Sequence, residues 1–124
     1  KRMALPYKTG GGGAAVNTDV SKAVNTATGA ISTVDDLARF TISLDSGDFL
    51  HRETMTSMWS AQGGMPTGLG WFVQSYNGQP VYWQFGSTPG AYSSLIVKVP
   101  SRGLTLILLA NSDGLSERMH ALTL

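Results

Sequence analysis

The sequence predicts an α+β fold in which helices flank an antiparallel sheet of about four strands. Apolar residues make up 42% of the 124-residue chain and charged residues 14%, a balance typical of globular proteins. A capped helical segment comes first, and strand-like segments separated by turn signals follow. We therefore predict a single domain over 1–124. Its predicted parts are, in order, a loop-rich region 1–30, a helical region 31–60, an antiparallel sheet over 69–111 and the start of a helix over 115–124.

Helix signals are concentrated in the second of these regions. Thr33 is followed three positions later by Asp36, a pairing typical of a helix N-terminus. Gly47 is expected to end this first helix, and a second one is predicted from His51 to Trp59. The apolar face of the first helix is expected to consist of Leu37, Phe40, Ile42 and Leu44.

Strand signals begin after residue 68. Four strands are predicted, namely Gly70–Ser75, Pro80–Trp83, Ala91–Val99 and Leu104–Ala110. The dipeptide at Asn77 and Gly78 is a strong signal for a hairpin between the first two. The last strand is almost continuously apolar, which predicts that both of its faces are covered. By contrast, the glycine tract Gly10–Gly13 predicts a loop, because glycines do not sustain a strand.

Composition argues against several classes of function. The net charge is +1 and the basic residues are scattered, so a nucleic-acid surface is not indicated. Without cysteine, neither disulfides nor thiolate metal sites exist. The two histidines, His51 and His120, stand alone on predicted helices, and we predict no metal site and no cofactor. No apolar run of 18 residues occurs within these residues, and the lack of a signal peptide among them is uninformative for a fragment, whose signal would lie upstream.

The block Trp83–Ser112 resembles the C-terminal part of the serine β-lactamase and penicillin-binding superfamily. It is most similar to class C β-lactamases and the related esterases and D-Ala-D-Ala peptidases. In that family a Lys-Thr-Gly or His-x-Gly triplet, often followed by Ser-Thr, lies on the strand beside the active site. The triplet position reads Gln84, Phe85 and Gly86 here, followed by Ser87 and Thr88. Two further blocks, Ser32–Phe40 and Gly68–Trp71, resemble family segments in the same order.

The resemblance implies a role for each residue of this strand. The backbone N–H of Ser87 would donate to the developing oxyanion. Gln84 would take the place of the usual Lys or His, without its charge, and would bind substrate with Phe85 and Gly86. Asn111, which follows the last strand at the same end of the sheet, is either a further substrate-binding residue or a cap of the next turn. The competing interpretation is that 83–90 is only a strand end and a loop.

Two other segments imitate active-site motifs. Lys8, Thr9 and Gly10 copy the triplet itself, but they run into the glycine tract and are predicted to lie in a loop without a catalytic role. Tyr92, Ser93 and Ser94 imitate the family's Tyr-x-Asn/Ser base motif at the wrong place in the order, so Tyr92 is predicted to be a core or surface tyrosine.

The family's nucleophile motif, Ser-x-x-Lys, does not occur in these residues. The chain is therefore expected to be the C-terminal portion of an acyl-transferring serine hydrolase, and to be inactive alone. Its expected partners are an acyl substrate in the parent, a second copy or the missing N-terminal half. The resemblance implies a periplasmic or secreted parent. A non-catalytic binding module of the same fold and an unrelated all-β interaction domain remain the alternatives.

Overall fold

A computed structural model describes residues 3–10, 13–20 and 29–115. These residues form two helices and six strands, and the prediction of an α+β fold is confirmed. The elements are β1 (Tyr7–Gly10), β2 (Gly13–Val16), α1 (Val34–Ser46), α2 (Arg52–Met58), β3 (Phe72–Tyr76), β4 (Gln79–Thr88), β5 (Tyr92–Val99) and β6 (Leu104–Ala110). The helix predicted over 115–124 lies outside the described residues except for Leu115.

The strands form two sheets. One has two strands, β1 and β2, and the other has four antiparallel strands in the order β3-β4-β5-β6. The turn between β3 and β4 is made by Asn77 (φ 50°) and Gly78 (φ 72°), as the sequence predicted. A 3-10 turn over Pro100–Arg102 connects β5 to β6 and ends at Gly103, whose φ of 58° suits glycine. All four predicted strands of the larger sheet are thus present, but β4 continues to Thr88, beyond the predicted end at Trp83.

The first hairpin corrects the prediction of a loop over this part of the N-terminal region. Tyr7 pairs with Val16, and the ladder closes with Gly10 opposite Gly13. Gly13 has a φ of 110°, which a residue with a side chain rarely adopts. Gly10 and Gly13 are therefore the last described pair of the hairpin, and Lys8 belongs to a strand. The prediction failed because it treated glycine as a strand breaker, whereas Gly10 ends β1 and Gly13 begins β2.

The apolar face of α1 also differs from the prediction. Leu44 and Thr41 are buried, whereas Ile42 is 67% exposed and Phe40 is 45% exposed. At 100° per residue, positions 41 and 44 share a face, and position 42 points away from position 44. Gly47 (φ 81°) follows the last helical residue, as predicted. The periodicity of α1 is thus helical, but a threonine occupies a core position and an isoleucine faces outward.

Strand β6 is not covered on both faces, and that prediction is wrong. Leu104, Leu106 and Leu109 are 56%, 46% and 41% exposed. Strand β6 is also the last strand in the order of the sheet. A continuous apolar sequence is compatible with two covered faces, but it does not itself provide the neighbours that cover them.

The chain divides into two compact units. The helical unit contains 34–84 and 95–108, and the terminal unit contains 1–33, 85–94 and 109–124. Strands β4, β5 and β6 each contribute residues to both units. Neither of the helices described has the length and apolar character needed to cross a membrane.

Candidate functional site

The end of β4 carries the triplet that the sequence singled out. Pairing between β3 and β4 ends at Phe72 and Trp83, and β4 continues as a regular strand to Thr88. Gln84–Thr88 is therefore strand and not loop, whereas its role in a site stays a prediction.

Side chains alternate between the two faces of this strand segment. Gln84 and Gly86 point to one face, and Phe85 and Ser87 point to the other. Phe85 is 42% exposed, and Ser87 is exposed as well. Phe85 and Ser87 are thus both exposed near the end of β4, and Gly86 between them has no side chain that would cover the backbone.

Gly86 has a structural reason to be glycine. A Cβ at this position would lie 2.8 Å from the hydroxyl oxygen of Ser94 on β5. Such a distance forces one of the two groups to move, so β4 and β5 approach each other closely here. The sequence analysis explained Gly86 by the approach of substrate, and the neighbouring serine provides a second cause.

Gln84 belongs to the helical unit, where its side chain is anchored. Its Nε2 donates a hydrogen bond of 2.8 Å to the carbonyl oxygen of Gly70. The loop that carries Gly70 is itself fixed, because the N–H of Gly68 donates to Trp71 O at 2.8 Å. A Cβ at Gly68 would overlap the carbonyl oxygen of Met58. The amide of Gln84 is thus oriented by a rigid segment, the one that resembles a family motif.

Asn111 ties the chain before β1 to the end of β6. Its Nδ2 donates to Leu5 O at 2.9 Å, and its backbone oxygen accepts from the N–H of Tyr7 at 2.7 Å. The side chain therefore bonds to an upstream segment. Asn111 and the end of β4 lie at the same end of the sheet, as predicted. Because β5 lies between β4 and β6, the axes of these two strands are about 9–10 Å apart, which is two strand spacings.

The turn between β4 and β5 is held from two sides by side chains. Gly90 is buried and has a φ of 67°. Its N–H donates to Asp113 Oδ2 at 2.8 Å, and its carbonyl oxygen accepts from Asn17 Nδ2 at 2.8 Å. Within the turn, the N–H of Ala91 donates to Thr88 O at 3.0 Å. Both peptide groups that flank the Gly90 Cα are thus fixed by distant parts of the chain.

Asp113 was not singled out by the sequence analysis, which interpreted 111–114 only as a turn. Its second oxygen, Oδ1, accepts a hydrogen bond of 2.9 Å from the hydroxyl of Thr9. The bond from the Gly90 N–H, followed by the bond from Thr9, lowers the pKa of Asp113 below the ordinary value of an aspartate. The available signal was a short polar residue just after a strand, and that signal does not reveal its partners.

The two imitations of active-site motifs have structural positions. Lys8 is exposed on β1, and its aliphatic stem lies 3.8 Å from the position of a Cβ at Gly90. Tyr92 is half-buried and donates its hydroxyl to Ala4 O at 2.8 Å. Ser93 is buried and donates to Ser112 O at 2.6 Å. Tyr92 and Ser93 therefore hold the N-terminal and C-terminal segments of the terminal unit.

No metal centre is found in the part of the chain that the structure describes, where no three His, Cys, Asp or Glu side chains lie close enough to bind an ion. His51 is exposed immediately before α2, and His120 lies outside the described residues.

Comparison with known families places the fold and this strand in context. A family model described as Beta-lactamase matches residues 1–123. No curated protein matches the chain, and no solved structure matches it. Since the family model covers nearly the whole sequence, and the α+β architecture agrees with it, the chain belongs to the Beta-lactamase family.

Proposed function

We propose that this chain is the C-terminal part of a serine hydrolase that acts on an amide or ester carbonyl through an acyl-enzyme. In this proposal the chain provides the wall of the active site and the strand that stabilises the oxyanion. The proposed types of parent enzyme are class C β-lactamases, D-Ala-D-Ala carboxypeptidases and related esterases. The observation that carries the proposal is β4, which remains a regular strand through Gln84–Thr88, beyond the end of its pairing with β3.

Ser87 is proposed to contribute its backbone N–H to the oxyanion hole. A donor that is fixed in place before the reaction does not have to reorganise as charge develops on the carbonyl oxygen. The regular strand before Ser87 and the hydrogen-bonded turn after it support such a fixed position. One donor of this kind contributes about 3–4 kcal/mol to stabilisation of a transition state.

Substrate binding is proposed for Gln84, Phe85, Gly86 and Asn111. Two of these have neutral amides, so they would bind a substrate by hydrogen bonds with less electrostatic attraction for a carboxylate than Lys or His would give. Phe85 adds an exposed apolar surface for an acyl group. Gln84 already donates to Gly70, and Asn111 to Leu5, which limits the bonds that each has left for a ligand.

The nucleophile is proposed to come from outside these 124 residues, since no Ser-x-x-Lys occurs in them. Binding energy does not replace a nucleophile, so turnover by the chain alone should be negligible. The first test is direct. The purified chain is expected neither to hydrolyse nitrocefin or p-nitrophenyl butyrate above buffer nor to form a covalent adduct with penicillin in mass spectrometry. A stoichiometric adduct would overturn this part of the proposal.

The second test asks whether Ser87 has its proposed role. The chain is mixed with a separately produced N-terminal segment of a family member that carries Ser-x-x-Lys, and hydrolysis is measured. Ser87→Ala keeps the backbone N–H and is expected to keep the restored activity, whereas Ser87→Pro removes it and should lower kcat by about 100-fold or more. Circular dichroism and association with the added segment show whether the proline variant folds. Equal activity of the two folded variants would contradict the role of Ser87.

A chain that binds acyl-D-alanine peptides but gives no hydrolysis with any such segment would instead favour the non-catalytic binding module.

A further inference from the structure

We propose that Asp113 is a positioning residue for the oxyanion strand, acting through Gly90. The proposal rests on the proposed function of Ser87, and it assigns a role to a carboxylate that lies on a different element. Asp113 follows β6, whereas Ser87 lies near the end of β4. The connection between them is the turn over 88–91.

The geometry of the turn makes the end of β4 dependent on Asp113. Gly90 lies three residues after Ser87, and its N–H donates to Asp113 Oδ2 at 2.8 Å. The carbonyl oxygen of Gly90 accepts a hydrogen bond of 2.8 Å from Asn17 Nδ2. The peptide groups before and after the Gly90 Cα are therefore each held by a side chain. A side chain at position 90 would lie 2.9 Å from Asn17 Nδ2, and its φ of 67° disfavours other residues. The turn has little freedom as long as both bonds exist.

Asp113 also joins this turn to the first hairpin. Its Oδ1 accepts from the hydroxyl of Thr9, and Oδ2 accepts from Gly90. One carboxylate therefore fixes β1 and the turn with respect to each other. Hydrogen bonds to an ionised acceptor are stronger than neutral ones, so a charged residue suits this position better than an amide. An amide has only one acceptor oxygen and cannot accept both bonds in the same geometry.

Displacement of the turn would be expected to affect catalysis, because oxyanion donors act only at short distance from the reacting oxygen. A misplacement of about 1 Å can cost on the order of 100-fold in rate. Other titratable groups lie on the elements around this site. Tyr7 and Lys8 lie on β1, Tyr92 begins β5, and Asp19 follows Asn17, whose side-chain oxygen accepts the Asp19 N–H at 3.0 Å.

The test uses the 124-residue chain and nuclear magnetic resonance of its backbone amides. In the wild type, the amide proton shifts of Gly90 and Ser87 are expected to follow the same acidic titration, which disappears in Asp113→Asn. The substitution should also accelerate amide exchange at Gly90 and Ala91 on the order of tenfold. Thr9→Val removes one bond only, and should leave the Gly90 titration in place.

Asp35→Asn is the matched control, since it makes the same change at an exposed aspartate of the helical unit. It should leave the titrations of Gly90 and Ser87 unaltered. If Gly90 titrates but Ser87 does not, Asp113 is only a structural partner of Gly90 and the proposal is overturned. If neither residue responds to Asp113→Asn, the contact itself is refuted. Since no hydrolysis is measured, these outcomes are distinguishable from failure of the acyl-enzyme proposal.

Discussion

The helical unit and the terminal unit are stabilised by different kinds of contact. In the helical unit, Leu44 and Met58 are buried, and Trp59 packs on Tyr82 and Trp71 with ring centroids 4.4 and 5.1 Å apart. In the described part of the terminal unit, six polar side chains make long-range hydrogen bonds to other segments. The residues that make them are Thr9, Asn17, Tyr92, Ser93, Asn111 and Asp113.

The difference follows from composition and has consequences for function. The terminal unit contains the glycine tract and the turn over 88–91, which have few apolar side chains to bury. Directional hydrogen bonds can fix such segments, and they do so at defined distances and angles. Apolar packing gives more free energy but tolerates small shifts. Hydrogen bonds therefore suit a strand that must hold one N–H at a defined position better than apolar packing does.

The largest expected effect is on the apolar side of the comparison. Leu44→Ala should lower the free energy of unfolding by about 2–5 kcal/mol, because it removes a buried side chain. Ile42→Ala, two positions away on the exposed face of α1, should change it by no more than about 0.5 kcal/mol. Urea denaturation of both variants provides the measurement. Equal losses would show that the packing of α1 differs from that described.

An ion pair between a buried ammonium and a half-exposed carboxylate is the polar exception within the helical unit. Lys98 is 3% exposed, and its Nζ lies 2.8 Å from Asp45 Oδ2 and 3.2 Å from Thr105 Oγ1. Asp45→Ala should lower the free energy of unfolding by about 1–3 kcal/mol, because the Lys98 ammonium then keeps only Thr105 as a partner. Lys98→Met should cost less than about 1.5 kcal/mol, since an apolar side chain of similar size needs no partner. Urea denaturation measures the free energy of unfolding of both variants. A larger decrease for Lys98→Met than for Asp45→Ala would contradict this account.

The helical unit also contains the exposed apolar surface of β6. Leu104 and Leu106 are exposed on a strand that contains no charge and no proline to discourage edge pairing. We expect copies of the chain to pair through β6 at micromolar concentration. Sedimentation velocity over a dilution series should show a species larger than 13.1 kDa, which Leu106→Lys should reduce. A single species of monomer mass throughout would refute this expectation.

The polar side of the comparison should respond to pH. The pKa of Asp113 is lowered in the folded state, so its contribution to stability is fully present above the pKa of the unfolded chain. The contribution is lost as the pH falls from that value through the folded pKa. The stability advantage of the wild type over Asp113→Asn should thus be constant near neutral pH and shrink under strongly acidic conditions. Urea midpoints of the wild type and Asp113→Asn, measured from neutral to acidic pH, test this prediction. A stability difference that does not change with pH would rule it out.

The smallest effect is expected at Lys8. Although it lies in β1 and not in a loop, its side chain is exposed, so Lys8→Ala should change stability by no more than about 0.5 kcal/mol. The adjacent Thr9→Val, which breaks the bond to Asp113, should have the larger effect. Thermal unfolding of the two variants compares them, and a loss above about 2 kcal/mol at Lys8 would indicate an ion pair or burial.

Most of the regular structure was predictable from local sequence. The N-terminus of α1, the glycine after it and the turn at Asn77 all depend on residues within four positions of each other. The positions of the proposed site residues were predictable in part. The family resemblance implied a strand at Gln84–Gly86, although the strand signals ended at Trp83, and Asn111 lies at the same end of the sheet. Their hydrogen-bond partners, Gly70 for Gln84 and Leu5 for Asn111, were not predictable.

By itself, the sequence determined the α+β class, the order of its helices and the four strands of the larger sheet, because capping, periodicity and turn chemistry act between near neighbours. Long-range packing determined that Gly10 pairs with Gly13 in a hairpin, that Ile42 faces outward and that β6 has an exposed face. It also decided that Asp113 bonds to Thr9, 104 positions away in the sequence, and to Gly90, 23 positions away. Contacts over such separations depend on how the strands are arranged in space, which no local pattern of residues encodes.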